Sequence, residues 1–247
     1  MKLNIVPASA GWLWVKLGIR AFTRQPIALS GLFFVFMAVM SVLTLLPVVG
    51  SVLALALLPA ATLGLMAASR EAEAGRFPMP TVLVTAFRAG RQRLRAMLVL
   101  GVLYAAGFLL VMGVSTLADG GDFARLYLVG GKITPELLQR DDFQLAAWMA
   151  MLLYLPLSMV FWHAPGLVHW HGTSPVKSLF FSAVACLRNV KAFLVYGLAW
   201  TGLFTGAIVA LTSVAAITGS VEVVQTGWLP LGLMLLSMLF ASIYFSF

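Results

Sequence analysis

The histidine segment is the one group of side chains in this sequence suited to coordination or proton transfer. It reads Trp162-His163-Ala164-Pro165, then His169-Trp170-His171. Imidazole ligates metals and haem and relays protons near neutral pH. The spacing opposes a shared site. His169 and His171 are two apart, so a helix points them in different directions. His163 and His169 are six apart, also a poor match for one face, although Pro165 can bend the chain. No carboxylate stands nearby in sequence to orient an imidazole. Trp and His also suit a membrane interface, with one apolar and one wet side. Interfacial anchoring is therefore preferred here to a ligand site at His163, His169 and His171.

Other chemistry is sparse. Asp119-Gly120-Gly121-Asp122 and Asp141-Asp142 invite a calcium reading but lack the spacing and closing Glu of an EF-hand loop. Thr134-Pro135-Glu136 reads instead as a helix start, Thr as N-cap and Pro in the first turn. Cys186 is the single cysteine. It excludes an intramolecular disulfide or a thiolate cluster built within one chain. Pro59, Pro156 and Pro165 are possible helix breaks of the kind that bind ions in transporters, or simple kinks repaired by neighbouring helices. Gly202-Leu203-Phe204-Thr205-Gly206 permits close helix approach, expected within this bundle rather than in a dimer. Phosphate loops, dinucleotide fingerprints, catalytic triads and zinc motifs are absent. The expectation is a protein without enzymatic activity, cofactor or metal.

The elements that would position these residues are membrane spans. The chain is 62% hydrophobic and 10% charged, against roughly 25% charged in soluble domains. Six apolar stretches lack Asp, Glu, Lys and Arg: 27–46, 48–68, 96–118, 144–168, 192–217 and 229–247. About 20 apolar residues cross the hydrocarbon as a helix. The large apolar side chains of 27–46 favour insertion by roughly 4–7 kcal/mol, whereas one central charge would cost about 3. No spanning segment carries Asp, Glu, Lys or Arg, which argues against a proton-coupled transporter. The N-terminus lacks an apolar core of the usual signal-peptide length.

Charge placement sets the topology. All but three of the sixteen Lys and Arg fall before span one, between spans two and three, or between spans four and five. The other side holds Arg125, Lys132 and Arg140 among Asp119, Asp122, Glu136, Asp141, Asp142 and Glu222. Basic residues stay cytoplasmic, so both termini are expected inside and the acidic 119–143 loop outside. The high pI is thus mostly topological, and nucleic acid is not an expected partner. Spans one and two are separated only by Pro47 and its neighbours. They form either a full hairpin or a span plus a re-entrant segment, and the downstream charges oppose the second.

Three basic segments, Gly11–Pro26, Thr81–Arg95 and Ser174–Lys191, align on Arg24, Arg91 and Arg188. Six residues earlier each has a small residue, Gly18, Thr85 or Ser182. A unit of one surface helix plus two spans, used three times over 11–68, 81–168 and 174–247, accounts for this within a single integral domain, 1–247. Lys16, Arg20 and Arg24 share one helical face, and Trp12, Val15, Ile19 and Phe22 another. Spanning would cost this segment about 7–10 kcal/mol for its charges; lying in the interface avoids that. Arg88, Arg91 and Arg95 make a similar stripe, and Lys177, Arg188 and Lys191 a less regular one. Anionic headgroups attract such cations by about 1 kcal/mol each.

Arg24–Leu29 (RQPIAL), Leu58–Arg70 (LPAATLGLMAASR), Phe161–Gly172 (FWHAPGLVHWHG) and Ser178–Leu198 (SLFFSAVACLRNVKAFLVYGL) resemble an uncharacterised family of bacterial six-span inner-membrane proteins. The resemblance covers most of the chain. More loosely, a proline-containing span followed by a basic amphipathic helix is similar to the membrane domain fused to some glycerophosphodiester phosphodiesterases. No attached phosphodiesterase domain is expected, so that activity does not transfer. The expected fold is all-α, a polytopic membrane bundle of six transmembrane helices with three interfacial amphipathic helices on the cytoplasmic side. The leading functional expectation is an accessory, scaffold or assembly component meeting lipids or a membrane protein partner. A transporter or lipid-handling protein is the second reading, and a redox-linked subunit using the histidine region the third.

Overall fold

The computed structural model describes residues 4–46, 49–220 and 222–247. Lys2 and Pro47, and with Pro47 the choice between a hairpin and a re-entrant segment, lie outside them. The described residues are helical, with no strand. Six helices are long and apolar enough to cross a membrane: Pro26–Thr44, Val49–Glu73, Arg91–Asp119, Asp141–His171, Val190–Thr218 and Glu222–Ser246. In chain order the elements are α1 (Ser9–Arg24), α2 (Pro26–Thr44), α3 (Val49–Glu73), a 3₁₀ helix (Pro80–Arg88) and α4 (Arg91–Asp119). There follow α5 (Asp122–Val129), α6 (Pro135–Gln139), α7 (Asp141–Phe161), α8 (Ala164–His171), α9 (Pro175–Arg188), α10 (Val190–Thr218), α11 (Glu222–Ile243) and a closing 3₁₀ turn, Tyr244–Ser246.

Several boundaries differ from the charge-free runs. α4 begins at Arg91, five residues before the apolar stretch. Its 29 residues reach about 43 Å, beyond a hydrocarbon core of about 30 Å. The first turns can therefore carry charge outside the core. α11 begins at Glu222 for the same reason. Pro59, Pro156 and Pro230 sit inside continuous helices, whereas Pro165 adjoins a break.

The chain forms two compact units. One combines Met1–Phe36, Thr62–Thr85 and Ala185–Phe247. Within it α1 lies on α10 and α11. A Cβ added to Gly11 would come 2.0 Å from the Ala192 carbonyl oxygen, and one added to Gly18 2.3 Å from Ser242 Cβ. These two glycines let the helix backbones approach. The buried face of α1 is Gly11, Trp14, Val15, Gly18, Ala21 and Phe22. The apolar face expected from Trp12, Val15, Ile19 and Phe22 is thus rotated: Trp12 is exposed, with the Lys16 ammonium 5.4 Å from its ring centre. Trp14 packs on Phe193 and Tyr196 of α10, ring centres 5.1 and 6.1 Å apart. The hydroxyls of Tyr196 and Ser242 join α10 to α11 at 2.6 Å. Phe22, Leu29, Leu32, Ala67, Ala68, Ala72, Val82 and Ala241 form one buried cluster. The 3₁₀ helix rests on α3, where a Cβ at Gly64 would meet the Leu83 backbone at 2.8 Å.

The other unit combines Met37–Ala61 and Ala86–Val184. α4 packs along α7, with Gly107 facing Leu157, and approaches α3 where Gly101 faces the Ala56 carbonyl. Asp119 accepts hydrogen bonds from the Gly121 and Phe123 amides at 2.8 and 2.7 Å and so starts α5. Thr134 caps α6 by accepting from the Leu137 amide. Arg140 donates to both oxygens of Asp142 and to Asp122, which occupies two of the acids that invite a calcium reading.

The expected packing of the Gly202/Gly206 pair within the bundle is corrected. Among the described residues, no atom beyond the local helix backbone comes within 4 Å of a Cβ at either position. The buried residues of α10 are Ala192, Tyr196 and Trp200, and farther along Leu211 meets α11 at Gly227; the glycine pair falls between these contacts.

Candidate functional site

The fourth span is not one rod. Pro165 has no amide to donate to the Phe161 carbonyl, and its ring crowds that carbonyl. The chain yields at Trp162 and His163, where His163 has φ −101° and ψ −14°. The hydroxyl of Ser182, from α9, occupies the gap. It accepts from the His163 amide at 2.9 Å and donates to the Met159 carbonyl at 2.8 Å. In an unbroken helix that amide would bond that carbonyl directly, since they stand four residues apart. One side-chain oxygen is therefore inserted into a single helical hydrogen bond, a recognised cause of a bend. α8 then resumes with Ala164 to Val168 all buried, and ends at Gly172 in the left-handed region, φ 64°.

The break distributes the histidines rather than gathering them. His163 is buried at the helix junction. His169 is half-buried with its ring edge toward Trp170, centres 6.2 Å apart. His171 is exposed at the end of α8. Among the described residues no three or more His, Cys, Asp or Glu side chains form a metal-holding group. Cys186 lies one turn along α9 from Ser182. Burial pushes its thiol up to about 12, so it is not a thiolate at neutral pH.

Lys16, Arg20, Arg24, Arg88, Arg91, Arg95, Lys177, Arg188 and Lys191 are all exposed. On α1 the cations recur every fourth residue, opposite a face committed to α10 and α11. Arg24 also donates to the carboxylate and backbone carbonyl of Glu73 at 3.1 Å. An ion pair this open contributes less than about 1 kcal/mol. The Arg88, Arg91, Arg95 stripe does not form on one helix. Gly90, φ +88°, separates Arg88 at the end of the 3₁₀ helix from Arg91 and Arg95 at the start of α4. The left-handed backbone there suits glycine and interrupts the register. Asn189 likewise separates Arg188 on α9 from Lys191 on α10.

Two polar side chains carry more structure than the motifs did. Ser182 was legible only as a small residue aligned with Gly18 and Thr85. Asn189 accepts from the Val6 amide at 2.8 Å and donates to the Asn4 and Ala185 carbonyls at 3.0 Å. Its signal was alignment with Gln25 and Gln92, which gives no partner 183 residues away.

Six apolar helices, irregular backbone sheltered within them and cations confined to their ends define an α-helical multi-pass membrane protein. The chain is 38% identical over 247 residues to a probable inner membrane protein of Burkholderia thailandensis, covering 99% of this chain and 92% of that protein. It belongs to the same family and is a multi-pass inner-membrane protein. No family model matches, and no solved structure matches.

Proposed function

We propose that this protein is a non-enzymatic accessory or scaffold component of the inner membrane. Its basic segments face the cytoplasm and meet anionic headgroups or a protein partner. The observation that carries this reading is α1. Its glycine-lined face is filled by α10 and α11, while Lys16, Arg20 and Arg24 are exposed on the rest of the helix. Sequence alignment and local packing also support a surface-helix-plus-two-spans unit used three times. Gly18 abuts Ser242 near the end of the sixth span, Leu83 abuts Gly64 on the second, and Ser182 enters the fourth.

Replacing Lys16, Arg20 and Arg24 together by Glu tests the reading. Losing three favourable headgroup contacts of about 1 kcal/mol each weakens binding at that surface by about a hundredfold. The expected outcome is loss of anionic-lipid enrichment, or of a stoichiometric partner, from protein isolated in polymer discs. Unchanged lipid content, partners and abundance would refute it. The broken fourth span favours a second reading, a transporter or lipid-handling protein, because interrupted helices line substrate paths in such proteins. Solute or lipid flux in reconstituted vesicles, abolished by closing the break, would put that reading first.

A further inference from the structure

The most unusual polar feature away from the helix break is a pair of phenols inside the second unit. Tyr104 of α4 and Tyr154 of α7 bring their hydroxyl oxygens to 3.3 Å. Tyr104 is 8% exposed and Tyr154 is 38% exposed. Phe161 meets the Tyr104 ring edge-to-face at 5.1 Å, and Phe108 meets Tyr154 at 6.1 Å and Tyr127 at 5.4 Å.

Two hydroxyls hold two O–H donors, and the bond between them uses one. Neither oxygen has another hydrogen-bond partner among the described residues. A phenol cannot fold back onto its own helix carbonyls as Ser158 and Thr212 do. In hydrocarbon an unmet donor is costly because no water replaces the lost bond. At 3.3 Å the pair is longer than the usual O–H···O distance, so both donors can turn toward one shared acceptor. A carbonyl oxygen, with two lone pairs, accepts both.

Depth selects the source of that carbonyl. Tyr104 lies nine residues inside Arg95 and Tyr154 twelve inside Asp142, about 14 and 18 Å along their helices. The pair is therefore near the middle of a hydrocarbon core about 30 Å thick. Phospholipid ester carbonyls lie at its boundary. A carbonyl at mid-depth belongs to a molecule dissolved in the hydrocarbon, and the aromatic surround suits a flat ring.

We propose that Tyr104 and Tyr154 form a binding site for a hydrocarbon-soluble ring carbonyl of the quinone class, entered from the lipid side at Tyr154. Full-length protein in phospholipid discs is titrated with decylubiquinone, reading intrinsic fluorescence quenching. Saturable quenching is expected. Y104F and Y154F, which keep the rings, each weaken it about five- to tenfold, equivalent to about 1–1.4 kcal/mol. Unchanged size-exclusion and circular-dichroism profiles establish that the variants fold. Absence of saturation in the wild type, or wild-type affinity in both variants, overturns the proposal. Mass spectra of the disc-isolated protein add a second arm. A phospholipid retained by the wild type and lost from Y104F would make the occupant an ester carbonyl and overturn the quinone assignment.

Discussion

Replacing Ser182 by Ala removes the oxygen that accepts from the His163 amide and donates to the Met159 carbonyl. Leaving a buried donor or acceptor unmet costs about 1–3 kcal/mol. Closure of the direct helical bond would recover part of this, but only if the bend straightens against Pro165. We expect a net loss of about 2–3 kcal/mol. For a chain of this size that lowers Tm by about 4–12 °C. Ser178, on the same helix and equally buried, donates only to the Pro175 carbonyl at 2.7 Å. Its Ala variant leaves an acceptor at the helix's own first turn and shifts Tm by about 1–2 °C at a cost of about 0.5 kcal/mol. Thermal unfolding of the two variants in one detergent is the assay. Equal stability of S182A and S178A would refute the idea that the inserted hydroxyl holds the break together.

Two further outcomes follow from packing and burial. Gly18→Leu drives a side chain into Ser242, whose Cβ would lie 2.3 Å from the new Cβ. α1 must lift from α11, with a loss above about 2 kcal/mol and faster amide exchange along Ser9–Arg24; unchanged exchange would contradict the packing. Cys186, pushed up to about 12 by burial, should resist maleimide at neutral pH in the folded protein and react fully in SDS. Above the ordinary thiol value of about 8.5, the unfolded chain ionises first. Stability contributed by the neutral buried thiol is then lost as pH rises toward 12, and C186A should lack that component of the alkaline decline.

The spans were legible because an uncharged apolar run of about 20 residues matches the thickness of the hydrocarbon core. Their ends were not. Arginine marks where polar surroundings begin, not where a helix stops, so α4 runs through Arg95, Arg93 and Arg91. The packed face of α1 is hidden from the sequence because apolar bulk at Trp12 and Ile19 outweighs a glycine on any hydrophobicity scale. Close approach to Ala192 and Ser242 selects Gly11 and Gly18. The glycine pair at Gly202 and Gly206 failed in the opposite sense: its spacing permits contact without requiring it. At the broken span Pro165 was visible, and the compensating hydroxyl was not, because Ser182 stands 19 residues from His163 and the match is geometric.

The anchoring of the first helix has a consequence for biosynthesis. Residues Asn4 and Val6 are held by Asn189, and α1 is packed by α10 and α11. Those surfaces all come from the last quarter of the chain. At about 5–20 residues per second, α1 emerges roughly 10–45 seconds before its seat is complete. Throughout that interval it carries a glycine-lined apolar face with no protein to cover it, beside Lys16, Arg20 and Arg24. Adsorption at the bilayer surface, with cations outward, is the state that shields such a helix from aggregation. α10 and α11, translated long after α1, then capture it, so the packing of this helix is completed late in maturation.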